Sequence, residues 1–211
     1  TVEDLRLDAG SVRIGERTLS LHTLSDLDDI AQMVATDTRY ERLSTDRSDC
    51  RLSFASPVGL LLGCSHILNQ YVFLDDNEEL LRTLERTSRN MNSLSRYSRS
   101  NAVNREWIEE YLNEAHANGW RSVRCHVNVV AWAESDAELK RVRNEVGAQI
   151  ALMGCTPHHN TVDVPVLFWA GIPGNEGDFP AEESFTTFLE PAVCFFALET
   201  CGRDSASPFG I

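Results

Sequence analysis

An arginine series is the feature of this sequence that most invites a chemical reading. Arg82, Arg86, Arg89, Arg96 and Arg99 recur along a stretch that opens Asn77-Glu78-Glu79. At about 100° per residue these arginines fall within an arc of roughly 140° on a helix, with Leu80, Leu84, Met91 and Leu94 on the opposite side. From Arg82 to Arg105 there are six arginines and one acid, Glu85. Such a face is either solvated, with arginine stems lying over apolar neighbours, or a contact surface for an acidic partner or a phosphate backbone. Of these two contacts, the protein partner fits better than nucleic acid.

Thiols and imidazoles form a second set of candidates. Cys155-Thr-Pro-His158-His159 could begin a metal site, but zinc needs four ligands with defined spacing. The remaining ligands would have to come from Cys194, Cys201 or His126, and none has knuckle spacing. Cys64 and His66 would share one face of a strand, whereas Cys125 and His126 point to opposite faces and cannot pair. A thiol nucleophile at Cys64 would also need exposure and an orienting third group. No Gly-x-Ser-x-Gly, His-Glu-x-x-His or Gly-x-Gly-x-x-Gly pattern occurs. The Walker A tail is absent too, since Lys140 lies between Leu139 and Arg141.

The bulk numbers narrow the classes. The chain has 211 residues, 42% hydrophobic and 24% charged, which suffices for one large domain or two small ones. The net charge of -13 is uneven: -6 over residues 1–76, +1 over 77–126 and -8 over 127–211. So acidic a chain is not a whole-surface nucleic-acid binder, although one local basic stripe remains open. No apolar run reaches membrane-spanning length. The six cysteines lack any CxxC pair, and four of them, Cys64, Cys125, Cys155 and Cys194, lie in apolar or strand-like runs or at a helix end. They read as reduced thiols of a cytoplasmic chain. Thr1 at one end and an ordinary, partly apolar Ser207–Ile211 at the other read as boundaries of a piece of a longer protein.

These residues need elements to position them. Alternation over residues 5–24, with turns at Ala9-Gly10 and Gly15-Glu16, predicts a β meander. A short helix is expected at Leu27–Ala35, capped by Ser25 or Asp26. Strands are expected at Arg51–Phe54 and within Val58–Leu74. Asn77 opens a helix that runs to about Ser95 or beyond, Ser100-Asn101 marks a break, and Asn104 caps a second helix ended by Gly119. The second helix carries Trp107, Ile108, Tyr111, Leu112 and Ala115 at helical spacing. Ser122–Ala133 alternates as a strand. Ser135 and Glu138 form a capping box before a helix carrying Leu139, Val142, Val146 and Ile150, closed by Gly154. Val162–Ile172 reads as a central strand, and Pro173-Gly174-Asn175 as a turn. A last helix is expected from Asp178 and Pro180, kinked at Pro191.

The fold class expected is thus α+β (α/β). A mostly antiparallel or mixed sheet carries packed helices in the order β-α-α-β-α-β-α from residue 58, after a small β meander. The chain divides into an N-terminal β-rich segment over 1–50, an α/β core over 51–200 and a linker over 201–211.

Five collinear stretches give the sequence a family likeness. They are Pro57-Val-Gly-Leu-Leu-Leu-Gly-Cys-Ser-His66 followed by Asn69-Gln-Tyr71; Ser93-Leu-Ser-Arg-Tyr-Ser-Arg99 with Asn101; Tyr111-Leu-Asn-Glu-Ala115; Phe168-Trp-Ala-Gly-Ile-Pro-Gly-Asn175 with Phe179-Pro180-Ala-Glu-Glu183; and Ser207-Pro-Phe-Gly-Ile211. Together they resemble the amino-terminal domain of the TraG-type conjugation ATPases of type IV secretion systems, from about residue 40 onward. The first 40 residues match only loosely.

The resemblance implies a parent protein that hydrolyses ATP at the cytoplasmic face of the inner membrane and energises pilus assembly or DNA transfer. It implies that this domain is a non-catalytic docking and assembly domain with no cofactor, ATP and Mg belonging to a motor domain that is missing here. The partners implied are that motor domain in cis, other conjugation-channel proteins and further copies of the chain. The loop Pro173, Gly174 and Asn175 is the family-like contact feature, and a plain tight turn is its bland reading. A nucleic-acid-binding module using the arginine face is the alternative.

Overall fold

The computed structural model describes residues 4–8, 10–31, 34–36, 38–41, 44–48, 50–94 and 98–196. In chain order the elements are β1 (Leu5–Asp8), β2 (Ser11–Ile14), β3 (Arg17–Leu24), β4 (Thr38–Arg39), β5 (Arg51–Leu52), α1 (Ser56–Gly59), β6 (His66–Phe73), α2 (Asn77–Leu94), α3 (Arg99–Asn118), β7 (Ser122–Ala133), α4 (Asp136–Leu152), β8 (His158–Asn160), α5 (Val164–Ala170), β9 (Phe185–Phe188) and α6 (Leu189–Val193). The fold is α+β. A seven-stranded sheet runs β1-β2-β3-β7-β6, with β8 also paired to β3 and β9 to β7; β4 and β5 form a separate ribbon.

The chain divides into two compact units. One holds the described parts of Thr1–Tyr71, His126–Phe185 and Val193–Ile211; the other holds Val72–Cys125 and Thr186–Ala192.

In the first unit the expected meander is present. β1 and β2 pair antiparallel from Leu5↔Ile14 to Asp8↔Ser11, and β3 follows on β2. β3 then pairs antiparallel with β7 from Thr18↔Ala133 to Leu24↔Val127, and with β8 through His22↔His159. The N-terminal strands and the later strands therefore share one sheet. Leu19 and Leu21 point to the same face as Val130, where Val12, Val164 and Leu167 complete a core packed by Trp132, Phe168 and Phe179. The opposite face meets α4, whose Leu139, Val142, Val146 and Ile150 are buried and whose Arg143 Nε donates to Ser20 Oγ at 3.3 Å. Burial on both faces explains why β3 and β7 are enclosed along most of their length. Each large side chain so enclosed contributes on the order of 1.5–3 kcal/mol. The helix α4 starts as expected: Glu138 N–H donates to Ser135 Oγ at 3.3 Å, and Gly154 follows its end with φ +80°.

In the second unit α2 and α3 pack together. Leu81, Leu112, Ala115 and Phe188 are buried among Leu84, Ile108 and Tyr111. The Tyr111 and Phe188 rings stack at 4.2 Å and 3°. Trp107, placed on this apolar face by spacing, is 51% exposed instead.

Several elements differ from expectation. Residues 56–59 form α1 rather than the start of a strand, because Pro57 suits the first turn of a helix and cannot donate to a ladder; the strand begins at His66. Val162–Ile172 holds helix α5 rather than a central strand. Pro165 sits in its first turn, and Val164, Leu167 and Ala170 recur at helical spacing as its buried residues. The last helix expected from Pro180 is replaced by 3-10 turns at Glu176–Asp178 and Ala181–Glu183, then β9 and the short α6. The aromatic and β-branched Phe185-Thr-Thr-Phe188 prefers a strand, and Pro191 falls in the first turn of α6, where it kinks nothing. Residues 27–29 make a 3-10 turn with Ile30 already extended, so the helix expected to Ala35 does not continue there. The second long helix begins at Arg99, five residues before Asn104, with Ser98 in the extended conformation of a cap position. By contrast α2 opens at Asn77 as expected, capped by Asp76, whose Oδ1 accepts from the N–H groups of Glu78 and Glu79. The expected order holds through its first five places, β6-α2-α3-β7-α4; its last strand and last helix are replaced by β8, α5, β9 and α6.

A candidate docking cleft and the arginine face

The first unit contains a cleft of about 430 Å³ lined by Leu68, Asn69, Gln70, Tyr71, Ala170, Gly171, Pro173, Glu176, Phe195 and Phe196. Its walls come from β6, the end of α5 and the loop that follows. Gly171 is where wall and wall come close: a Cβ there would lie 3.5 Å from Asn69 Nδ2.

Behind the cleft a chain of hydrogen bonds is fully determined by donor chemistry. Asn69 Nδ2 donates to Asn128 Oδ1 at 2.9 Å. Asn128 Nδ2 donates to His126 Nε2 at 3.0 Å, and His126 Nδ1 donates to the Glu183 carbonyl at 2.6 Å. A carbonyl can only accept, so Nδ1 carries the proton and Nε2 is the acceptor. His126 and Asn128 are both completely buried. Burial pushes the His126 pKa down to about 4, against the smaller opposing effect of the Glu183 bond. The ring is therefore neutral at pH 7, as the bond from Asn128 requires. Tyr71 and Phe179 close over it, with their ring centroids 4.6 Å apart. Alternation in β7 shows that His126 and Asn128 share a face; the network itself had no local sequence signal, because its other members come from β6 and a turn at residue 183.

The loop Pro173-Gly174-Asn175 forms the rim of this cleft through Pro173. It is a braced turn. Gly174 has φ +101°, and its N–H donates to both carboxylate oxygens of Glu176 at 3.0 Å. Those backbone bonds hold the Glu176 carboxyl below its ordinary range. Asn175 Nδ2 donates to the Trp169 carbonyl at 3.3 Å, and Trp169 Nε1 donates to Asp178 Oδ2 at 2.9 Å.

The arginine series is divided by the structure. Arg82, Arg86 and Arg89 lie on α2, Arg99 is the first residue of α3, and Arg96 lies outside the described residues. Arg82 pairs with Glu78 at 2.9 Å and Arg89 with Glu85 at 3.2 Å, both one turn away on the same helix. Among the described residues, neither Arg86 nor Arg99 has an ion pair shown. α2 carries three acids against its three arginines, and α3 adds Glu106, Glu109, Glu110 and Glu114. The face is a mixed-charge surface rather than a basic one. Spacing alone found the arginines, but the acids at positions 78 and 85 are what decide their electrostatics.

The thiol and imidazole candidates are not brought together. Cys64 is pushed up by burial and by Glu145, which keeps its thiol protonated, while His66 Nδ1 is turned to the Cys64 carbonyl at 2.9 Å. Cys155 is buried and pushed up to about 11. His158 pairs with Asp29 at 2.7 Å, and His159 lies opposite His22 across the β3–β8 ladder. Among the described residues no group of three His, Cys, Asp or Glu could hold a metal ion. Cys201 lies outside the described residues.

No protein-family model and no curated protein matches the chain. Among the described residues no helix is long and apolar enough to cross a membrane.

Proposed function

We propose that the chain is a docking and assembly domain, non-catalytic in itself, of a TraG-type conjugation ATPase. Its partners are then the motor domain of the same protein, channel proteins and further copies of the chain. It works at the cytoplasmic face of the inner membrane, held there by those partners, and the ATP and Mg chemistry belongs to the motor.

One observation carries this reading. Two of the five family-like stretches, about a hundred residues apart in sequence, meet at one place. Asn69-Gln-Tyr71 and Ala170–Asn175 supply opposite walls of a single cleft, and Phe179 packs on the Tyr71 ring behind it. The ion-paired acids of α2 favour a protein partner over a phosphate backbone.

The test is association with a TraG-type motor domain and with channel proteins, followed by size-exclusion chromatography and by ATP hydrolysis with Mg. Co-elution and a changed hydrolysis rate are expected. Lack of association with motor and channel proteins alike overturns the reading, as does steeply salt-dependent DNA binding that Arg86→Glu with Arg89→Glu abolishes.

A further inference from the structure

The cleft has an unbalanced chemistry that specifies more than its being a surface. Its floor is apolar where Leu68, Phe195 and Phe196 line it, and Phe196 is 50% exposed. Its rim is acidic. Residues 171–184 carry Glu176, Asp178, Glu182 and Glu183 and no basic residue. Among the described residues none of these four carboxylates has a basic partner shown, whereas Arg17, Arg39, Arg82, Arg89, Arg105, Arg124 and Arg141 each pair with an acid elsewhere. An aromatic face lies next in sequence to the lining residue Ala170. Trp169 is 43% exposed and its indole is anchored by Asp178, so a cation beside that carboxylate meets a π face as well.

We infer that this cleft docks a segment of a partner protein that combines apolar anchors with arginine or lysine side chains. The anchors fill the floor over Phe195 and Phe196, and the cations lie against Glu176, Asp178 and Trp169. The inference rests on the docking reading and names the chemistry of the partner. A second copy of this chain is the weaker occupant, because at a net charge of -13 it meets the rim with like charge.

The test uses the whole chain and two fluorescein-labelled ten-residue peptides, one alternating leucine with arginine and one alternating leucine with glutamate. Binding of the arginine peptide alone is expected, weakening as salt rises, with amide shift changes at Asn69–Tyr71 and Gly171–Glu176. Glu176→Gln with Asp178→Asn removes two charges and keeps one acceptor oxygen on each side chain. It should weaken the arginine peptide about tenfold, the effect of two exposed ion pairs. Phe196→Ser, at a half-exposed site, should weaken it independently, and circular dichroism checks that each variant is folded. Equal binding of both peptides, no binding of the arginine peptide up to millimolar, unchanged affinity in the folded charge variant, or shift changes confined to α2 would each overturn the inference. Peptide binding without association to motor or channel proteins would instead sink the docking reading and leave the cleft's chemistry standing. Association without peptide binding would do the reverse.

Discussion

Asn128 and His126, two residues apart on β7, are joined by a bond from the Asn128 amide to His126 Nε2 at 3.0 Å, and both are wholly buried. Asn128 is also the acceptor for Asn69. One amide thus satisfies a wholly buried imidazole and the half-buried Asn69 amide. Asn128→Leu leaves the Asn69 amide and the His126 nitrogen without their partner. An unsatisfied buried polar group costs about 1–3 kcal/mol, so a loss of roughly that size, from the His126 nitrogen, is expected in urea unfolding. An Asn69→Ala, Asn128→Ala double-mutant cycle should show coupling above about 0.5 kcal/mol. Additive losses would show that the network carries no cooperative stability.

Acid should unfold the chain earlier than its carboxylates alone dictate. His126 and His22 are both buried and both pushed down to about 4, His126 by burial and His22 by burial and then by the nearby positive charge of His159 and Arg143. The unfolded chain binds these protons near pH 6.5 and the folded chain only near pH 4. Above pH 6.5 the two residues have no effect on stability. As pH falls from 6.5 to 4, each removes up to about 3 kcal/mol. The measurement is unfolding free energy against pH, with His126→Gln predicted to flatten the slope across that window. A slope unchanged in the variant would mean that His126 protonates without loss of the fold.

How far this was legible from sequence depends on the range of the signal. The meander, β7 and α4 carry local alternation or a capping box, and each is where those signals put it. α5 was misread because Val164–Trp169 is apolar on every side, which erases periodicity; Pro165 was the deciding residue, since a central strand has no place for it. The rim loop was visible as Pro-Gly-Asn. The cleft was not, because its opposite wall is supplied by residues 68–71, a hundred positions earlier. The arginine face was legible as positions but not as charge, for the acids that neutralise it lie one helical turn away.

Two glycines in the meander separate backbone strain from crowding. Gly10 has φ +79°, and a Cβ there would lie 2.0 Å from the Thr161 carbonyl oxygen. Gly15 has φ +58° and nothing within 4 Å of the same position. Gly15→Ala should therefore cost only the left-handed penalty of about 1–2 kcal/mol. Gly10→Ala adds displacement of backbone at residue 161 and should cost well above 2 kcal/mol. Thermal melts of the two variants make the comparison, and equal losses would place Thr161 farther from the turn than 2.0 Å.

The arginines of α2 give the prediction with most bearing on function. Arg82 and Arg89 are paired within their helix and largely exposed, at 74% and 75% of the side chain. Exposed pairs of this spacing stabilise a helix by about 0.3–0.5 kcal/mol. Arg82→Ala and Arg89→Ala should each change stability by no more than that. If the face served a nucleic acid, the phosphates would have to displace Glu78 and Glu85, and those carboxylates would repel them. DNA affinity should accordingly be weak at physiological salt. Glu78→Gln with Glu85→Gln should raise it, because the variant frees Arg82 and Arg89 and removes the repulsion. Fluorescence anisotropy with duplex DNA across a salt series measures both. Tight DNA binding by the unaltered chain, lost in Arg86→Glu, would show that the acids do not govern this face and would return nucleic acid to the leading place.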